Sequence, residues 1–169
     1  PAETHTPPSS AQSAYSLPHG HVFPHNYPLQ LLISDTTHSG TRLVTDMARH
    51  GSRFRFADNG DGTYTPFPGV WATLTRTLTA PYTYTLTGVD RSTYVFCDAG
   101  RLVEIRSPQG QATTLLYSGG RLARVQDATG WRFLAFSYDA QGRLTEVRDP
   151  ISRTVRYGYN AAGDLIVVT

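Results

Sequence analysis

Lysine is absent from this chain: all fifteen basic residues are Arg, and Glu occurs only at Glu3, Glu104 and Glu146. There is one Met, and the single Cys, Cys97, cannot form an internal disulfide. Helices draw on Ala, Leu, Glu, Lys, Gln and Met, so these shortages argue against a helical bundle or coiled coil. No apolar run approaches the roughly 20 residues that span a bilayer as a helix, which excludes membrane insertion of that kind. The net charge is only +2, and the Arg residues are scattered. A nucleic-acid partner is therefore not expected. Against these absences stand twenty-two Thr, ten Tyr, seven Phe and fifteen Gly in 169 residues. Thr, Tyr and Phe favour strands and Gly favours turns, so the composition points to an all-β chain of one or two small domains. A start at Pro1, without Met or a charged and apolar leader, is what a mature, processed or excised product would show.

The chain divides into three segments. Residues 1–18 carry four of the eleven Pro and little that could be buried, and read as an extended Pro/Ser-rich arm. Residues 19–95 read as β-hairpins with strands at Leu29–Ile33, Arg42–Met47, Ser52–Phe56, Thr63–Thr65, Thr73–Thr79 and Tyr82–Thr87. Apolar and polar residues alternate there with period two, and Asp58-Asn59-Gly60-Asp61-Gly62 supplies the positive-φ residues of a tight turn.

Residues 96–169 repeat. Phe96, Tyr117, Tyr138 and Tyr159 are each 21 residues apart. A turn and a Gly-Arg/Asp-Leu triplet follow each aromatic: Gly100 and Leu102, Gly120 and Leu122, Gly142 and Leu144, Gly163 and Leu165. Three residues beyond each Leu stands a β-branched residue: Ile105, Val125, Val147 and Val168. Such a period fits two strands and two turns, one hairpin per unit. An isolated hairpin is marginal in water, so the units must stack into an open, twisted antiparallel ribbon.

The run Tyr138-Asp139-Ala140-Gln141-Gly142-Arg143-Leu144-Thr145-Glu146-Val147 closely resembles the YD repeat of the rearrangement-hotspot (RHS) family. Tyr117-Ser118-Gly119-Gly120-Arg121-Leu122, Tyr159-Asn160-Ala161-Ala162-Gly163-Asp164-Leu165 and Phe96-Cys97-Asp98-Ala99-Gly100-Arg101-Leu102 look like variants. Upstream, His25-Asn26-Tyr27, Phe54-Arg55-Phe56, Asp61-Gly62-Thr63-Tyr64, Pro66 and Gly69 are similar to the family's segment before the repeats. The resemblance implies a β-ribbon that coils into a shell around a toxic cargo, or an extracellular adhesion surface. The chain departs from the pattern in holding about four repeats, and in placing Ile151-Ser152 after Asp149-Pro150 where the family's self-cleavage motif has Gly.

Candidate chemistry reads mainly as structure. His19, His21 and His25 lack a fourth metal ligand, and Asp58, Asn59 and Asp61 miss the alternating pattern of a calcium loop. Cys97 occupies the slot held by Ser118, Asp139 and Asn160 in the other units, and no His or third group is implied beside it. Arg53-Phe54-Arg55-Phe56 reads as a strand with Phe inward and Arg outward. No catalytic residue, cofactor or metal is expected. The last strand, Leu165-Ile166-Val167-Val168, leaves an open edge that recruits another strand. The expected function is a non-enzymatic extracellular or cell-surface structural module that joins copies of itself head to tail, with the arm as a donor strand. Two alternatives stand beside it: a piece of a larger RHS shell whose neighbouring repeats cover the edge, and an adhesion module that binds carbohydrate.

Overall fold

The computed structural model describes residues 30–38, 41–47 and 53–169. The arm at residues 1–18, the three clustered histidines and His25-Asn26-Tyr27 lie outside the described residues. The rest is all β, with no helix among the described residues. The strands are β1 (Gln30–His38), β2 (Thr41–Met47), β3 (Arg53–Asp58), β4 (Thr63–Pro66), β5 (Ala72–Arg76), β6 (Tyr84–Gly88) and β7 (Thr93–Phe96). They continue as β8 (Leu102–Arg106), β9 (Ala112–Ser118), β10 (Arg121–Asp127), β11 (Phe133–Tyr138), β12 (Leu144–Arg148), β13 (Thr154–Tyr159) and β14 (Leu165–Val168). All 14 form one sheet in sequence order, each antiparallel to the strand before it. The expected strand at Thr73–Thr79 stops early, at Arg76. Thr77 instead closes a turn, where its N–H donates to the Thr83 carbonyl and its Oγ1 accepts from the Thr83 N–H.

The four repeat units share a feature the sequence did not announce. Phe96 pairs with Leu102, Tyr117 with Leu122, Tyr138 with Leu144 and Tyr159 with Leu165, and beside each pair one residue is skipped. The unpaired residues are Val103, Ala123, Thr145 and Ile166, a β-bulge at one position in every unit. The bulge accounts for the odd spacing from Leu to the next β-branched residue. An extra residue restores parity, so Leu102 and Ile105 both reach the core, as do Leu122 and Val125.

From β4 to β14 one face of the sheet is mainly apolar, and in its first part the sheet rolls over that face. The Leu31 N–H donates to the Gly100 carbonyl at 2.9 Å, although Leu31 lies on β1 and Gly100 in the β7–β8 turn. In a flat sheet those strands would stand roughly 30 Å apart, at about 4.8 Å per strand. The roll gathers Leu31, Phe56, Tyr64, Leu74, Tyr84, Leu86, Phe96, Leu102, Leu115 and Val125 into a single buried cluster. Burying each of these larger side chains stabilises the fold by about 1.5–3 kcal/mol. Arg55 is exposed beside buried Phe56, which places Phe inward and Arg outward on β3.

Beyond β10 the cover ends. Val125 pairs with Leu115 on one side and Leu134 on the other, so the three form one row across the sheet. Leu115 is 2% exposed and Val125 8%, but Leu134 is 45% exposed, as is Val155 further on at 41%. The apolar face continues onto β11–β14 with no described layer over it. The repeat region is thus half rolled core and half open ribbon.

Candidate functional site

The repeat framework residues meet in a clasp that joins each unit to the next. The Tyr117 hydroxyl donates to the Leu102 carbonyl at 2.8 Å, Tyr138 to Leu122 at 2.9 Å and Tyr159 to Leu144 at 2.8 Å. Each phenol therefore reaches back one unit and satisfies a backbone acceptor beside the bulge. The Arg that precedes each of those Leu residues crosses the same ring: Arg101 lies 5.3 Å from the Tyr117 centroid, Arg121 5.9 Å from Tyr138 and Arg143 4.7 Å from Tyr159. A guanidinium over a phenol ring is a cation–π contact, worth about 0.5–1 kcal/mol at an exposed site.

Glycine completes the clasp. Gly142 has φ +85°, and a Cβ there would press on the Arg121 guanidinium. The small residue both turns the chain and lets the preceding unit's Arg lie flat. A Cβ at Gly163 would make only an ordinary contact with Arg143, while Gly120 closes a shorter turn in which Arg121 pairs directly with Ser118. The planar guanidinium can stack where the point charge of Lys cannot, which gives three of the fifteen Arg residues a reason not to be Lys. The sequence marked these Arg residues only as part of a triplet; their contact with the following Tyr, one unit away, carried no local signal.

The turns are held by carboxylates that face their own backbone. Asp139 accepts the Arg143 N–H at 2.8 Å and the Arg143 Nε at 2.7 Å. Asp149 does the same with the Arg153 N–H at 2.8 Å and Nε at 2.6 Å. Burial alone would raise both carboxyls, but these donors outweigh it and hold them below the usual Asp value. The Tyr117, Tyr138 and Tyr159 phenols move the other way. Burial raises all three, against the lowering effect of the Arg across each ring.

The first and last units break the pattern. Phe96 has no hydroxyl and is fully buried in the core instead. In the fourth unit Asp164 stands where the others have Arg, and its carboxylate accepts from Asn160 Nδ2 at 3.0 Å. Leu165 is half-buried, and Ile166, Val167 and Val168 are exposed on β14, which pairs with β13 along one edge only. The apolar strand and the unmatched side of the clasp coincide at this edge.

The other candidates have structural partners. Asp58 accepts the Gly60 N–H, and Asp61 accepts both the N–H and hydroxyl of Thr63, so these acids build the β3–β4 turn. Cys97 opens the β7–β8 turn through its N–H to the Arg101 carbonyl. No group of three or more His, Cys, Asp or Glu that could hold a metal occurs among the described residues. A shallow, mainly apolar depression between β10 and β11, lined by Val125, Phe133 and Leu134 among others, carries no convergent set of acid, base and nucleophile. What the geometry can do is pair strands and lock units in register.

Residues 138–169, the third and fourth units, match the family model described as RHS Repeat. No curated protein matches the chain.

Proposed function

We propose that this chain, whose residues 138–169 match the RHS Repeat model, is a non-enzymatic, extracellular structural module whose sheet is extended by strand pairing at β14. The carrying observation is the coincidence of three features on the last unit. Its backbone is paired on one side only, Ile166, Val167 and Val168 are exposed, and the apolar face beneath it is uncovered. An edge of this kind is a template for another strand, and no Lys guards it. The partner in this reading is an RHS-type strand from a second copy, joined head to tail, because the clasp repeats along the sheet in one direction. A head-to-tail contact gives a filament or tube unless its rotation closes. The edge of β1 is a narrower acceptor, since Leu31 already commits its N–H to Gly100.

Size-exclusion chromatography with negative-stain microscopy tests this reading. The full chain is expected to form species that lengthen with concentration. The double variant Ile166→Lys/Val168→Lys, which places two charges on the edge, is expected to remain monomeric. A chain that stays monomeric at high concentration contradicts self-association, and favours a role as part of a larger RHS shell in which neighbouring repeats supply the strand. Removing residues 1–18 tests the arm as donor; assembly unchanged by the deletion removes the arm from the mechanism.

A further inference from the structure

Because the strands run in sequence order, their connections fall alternately on two opposite rims of the sheet. The two rims differ in how often they present apolar side chains, Leu78 in the β5–β6 connection being the strongly exposed one on the first. This first rim carries the glycine turns of the clasp, where Arg101, Arg121 and Arg143 lie across Tyr rings of the following units. The other carries the β4–β5, β6–β7, β8–β9, β10–β11 and β12–β13 connections. Four of those five present a large exposed apolar side chain: Trp71, Val89, Trp131 and Ile151. Both Trp residues are over 80% accessible or at that mark, Trp71 at 80% and Trp131 at 82%, a degree of exposure rare for the largest apolar side chain.

Charge on this rim is asymmetric in the same sense. Asp127 accepts the N–H and hydroxyl of Thr129, Asp149 is held by Arg153, and Asp90 accepts the N–H and hydroxyl of Ser92. The acids are turned into their own loops. Arg91 and Arg132, each within two residues of an exposed apolar tip, make no ion pair among the described residues. The rim therefore offers separate apolar points, and two of them, Val89 and Trp131, have an Arg without an ion pair beside them.

We propose that this rim is a membrane-surface contact, seating Trp71, Val89, Trp131 and Ile151 in the headgroup region of an anionic bilayer while the sheet stays outside it. Trp belongs at the boundary between headgroup and acyl chain, and free Arg beside it complements anionic lipid. The aliphatic tips Val89 and Ile151 distinguish this surface from a sugar platform, to which they add nothing. The spacing distinguishes it from a protein-binding patch. Trp71 and Val89, like Trp131 and Ile151, are two strands apart, about 10 Å, and Val89 and Trp131 are four strands apart, about 20 Å. The Ser107–Gly110 turn between them is polar, so the tips do not merge into one face. A fluid surface accepts separate points; a protein groove needs a continuous one. The proposal is independent of whether β14 recruits a partner.

The test uses the full chain and its own fluorescence, since its only two Trp residues are both on this rim. The protein is titrated with vesicles of phosphatidylcholine containing about a third phosphatidylglycerol, and with phosphatidylcholine alone. The expected result is a blue shift of emission and co-sedimentation with the anionic vesicles, both weakened by salt. The variant Trp71→Ser/Trp131→Ser, checked for an unchanged β circular-dichroism spectrum, is expected to lose about tenfold or more in co-sedimentation affinity. Arg91→Glu/Arg132→Glu is expected to erase the preference for anionic lipid. An absence of blue shift and co-sedimentation overturns the proposal. So does co-sedimentation undiminished in the Trp variant, or an emission shift produced by soluble oligosaccharides and not by vesicles.

Discussion

Leu115 and Leu134 flank the same residue, Val125, from opposite sides, yet one is buried and the other is nearly half exposed. The local hairpin is the same in both places, with the same bulge, the same aromatic–Leu pair and the same phenol-to-carbonyl bond. What differs is the layer above. Between β1 and β10 the sheet rolls onto itself and supplies its own cover, pinned where Leu31 meets Gly100. Between β11 and β14 nothing described lies over the apolar face, and cohesion comes from the clasps and turn clamps instead. A repeat can thus form a core or a ribbon depending on what it curls against, which is the property expected of a unit meant to be extended.

That contrast can be broken most forcefully by truncating the same kind of side chain in each region. Leu115→Ala, at a buried side chain, is expected to cost about 2–5 kcal/mol. Leu134→Ala is expected to cost less than about 1 kcal/mol, because its surface is largely in water already. Urea unfolding of both variants measures this; equal losses would mean that the ribbon has a hidden cover.

The two glycines come next. Gly100 has φ +73°, and a Cβ there would collide with the Leu31 backbone carbonyl, so Gly100→Ala strains the turn and also prises β1 from the roll. A loss of about 2–3 kcal/mol is expected, against about 1 kcal/mol for Gly142→Ala, whose new methyl meets only the movable end of Arg121. Thermal unfolding of the pair separates a backbone closure from a side-chain contact.

Removing the clasp hydroxyls one at a time has a smaller expected effect. Tyr138→Phe and Tyr159→Phe each delete a single phenol-to-carbonyl bond, a loss of about 0.5–1.5 kcal/mol. In the opposite direction, Ser152 adopts φ +66° without being Gly, so Ser152→Gly is expected to stabilise the β12–β13 turn by about 0.5–1 kcal/mol despite losing its bond from Arg148.

The pH dependence should expose the ribbon first. Asp139 and Asp149 have carboxyls lowered in the fold, so their contribution is complete above the unfolded Asp value near 4 and is lost as pH falls through the lower folded value. The Tyr phenols are raised, so theirs is complete below about 10 and is lost as pH rises through the folded value. Midpoints of thermal unfolding should drop at both extremes. Asp149→Asn should flatten the acid side and Tyr159→Phe the alkaline side.

Much of this was legible in the sequence, for reasons that mark where legibility ended. The 21-residue period, the aromatics, the glycine turns and the all-β class follow from local patterns and are present as read. The odd spacing between Leu102 and Ile105 was visible, but its meaning was not, because a bulge is a property of two strands together. The roll was not legible at all. It depends on Leu31 meeting Gly100 across six intervening strands, and a period of two says only which face is apolar, not whether the face is covered. The open antiparallel ribbon is present as read, and the roll over β1–β10 is a feature added to it. The clasp Arg residues escaped notice because their partners sit one unit away. Trp71 and Trp131 escaped because the rim they share appears only when the connections are assigned to sides.

The most direct measurement is hydrogen–deuterium exchange of the full chain at low and high concentration. The account predicts strong protection of β3–β9 at both concentrations, with β11–β14 weakly protected when dilute and markedly slower when concentrated, most of all at Leu165–Val168. Uniform protection along the chain, or protection of β14 that ignores concentration, would contradict it.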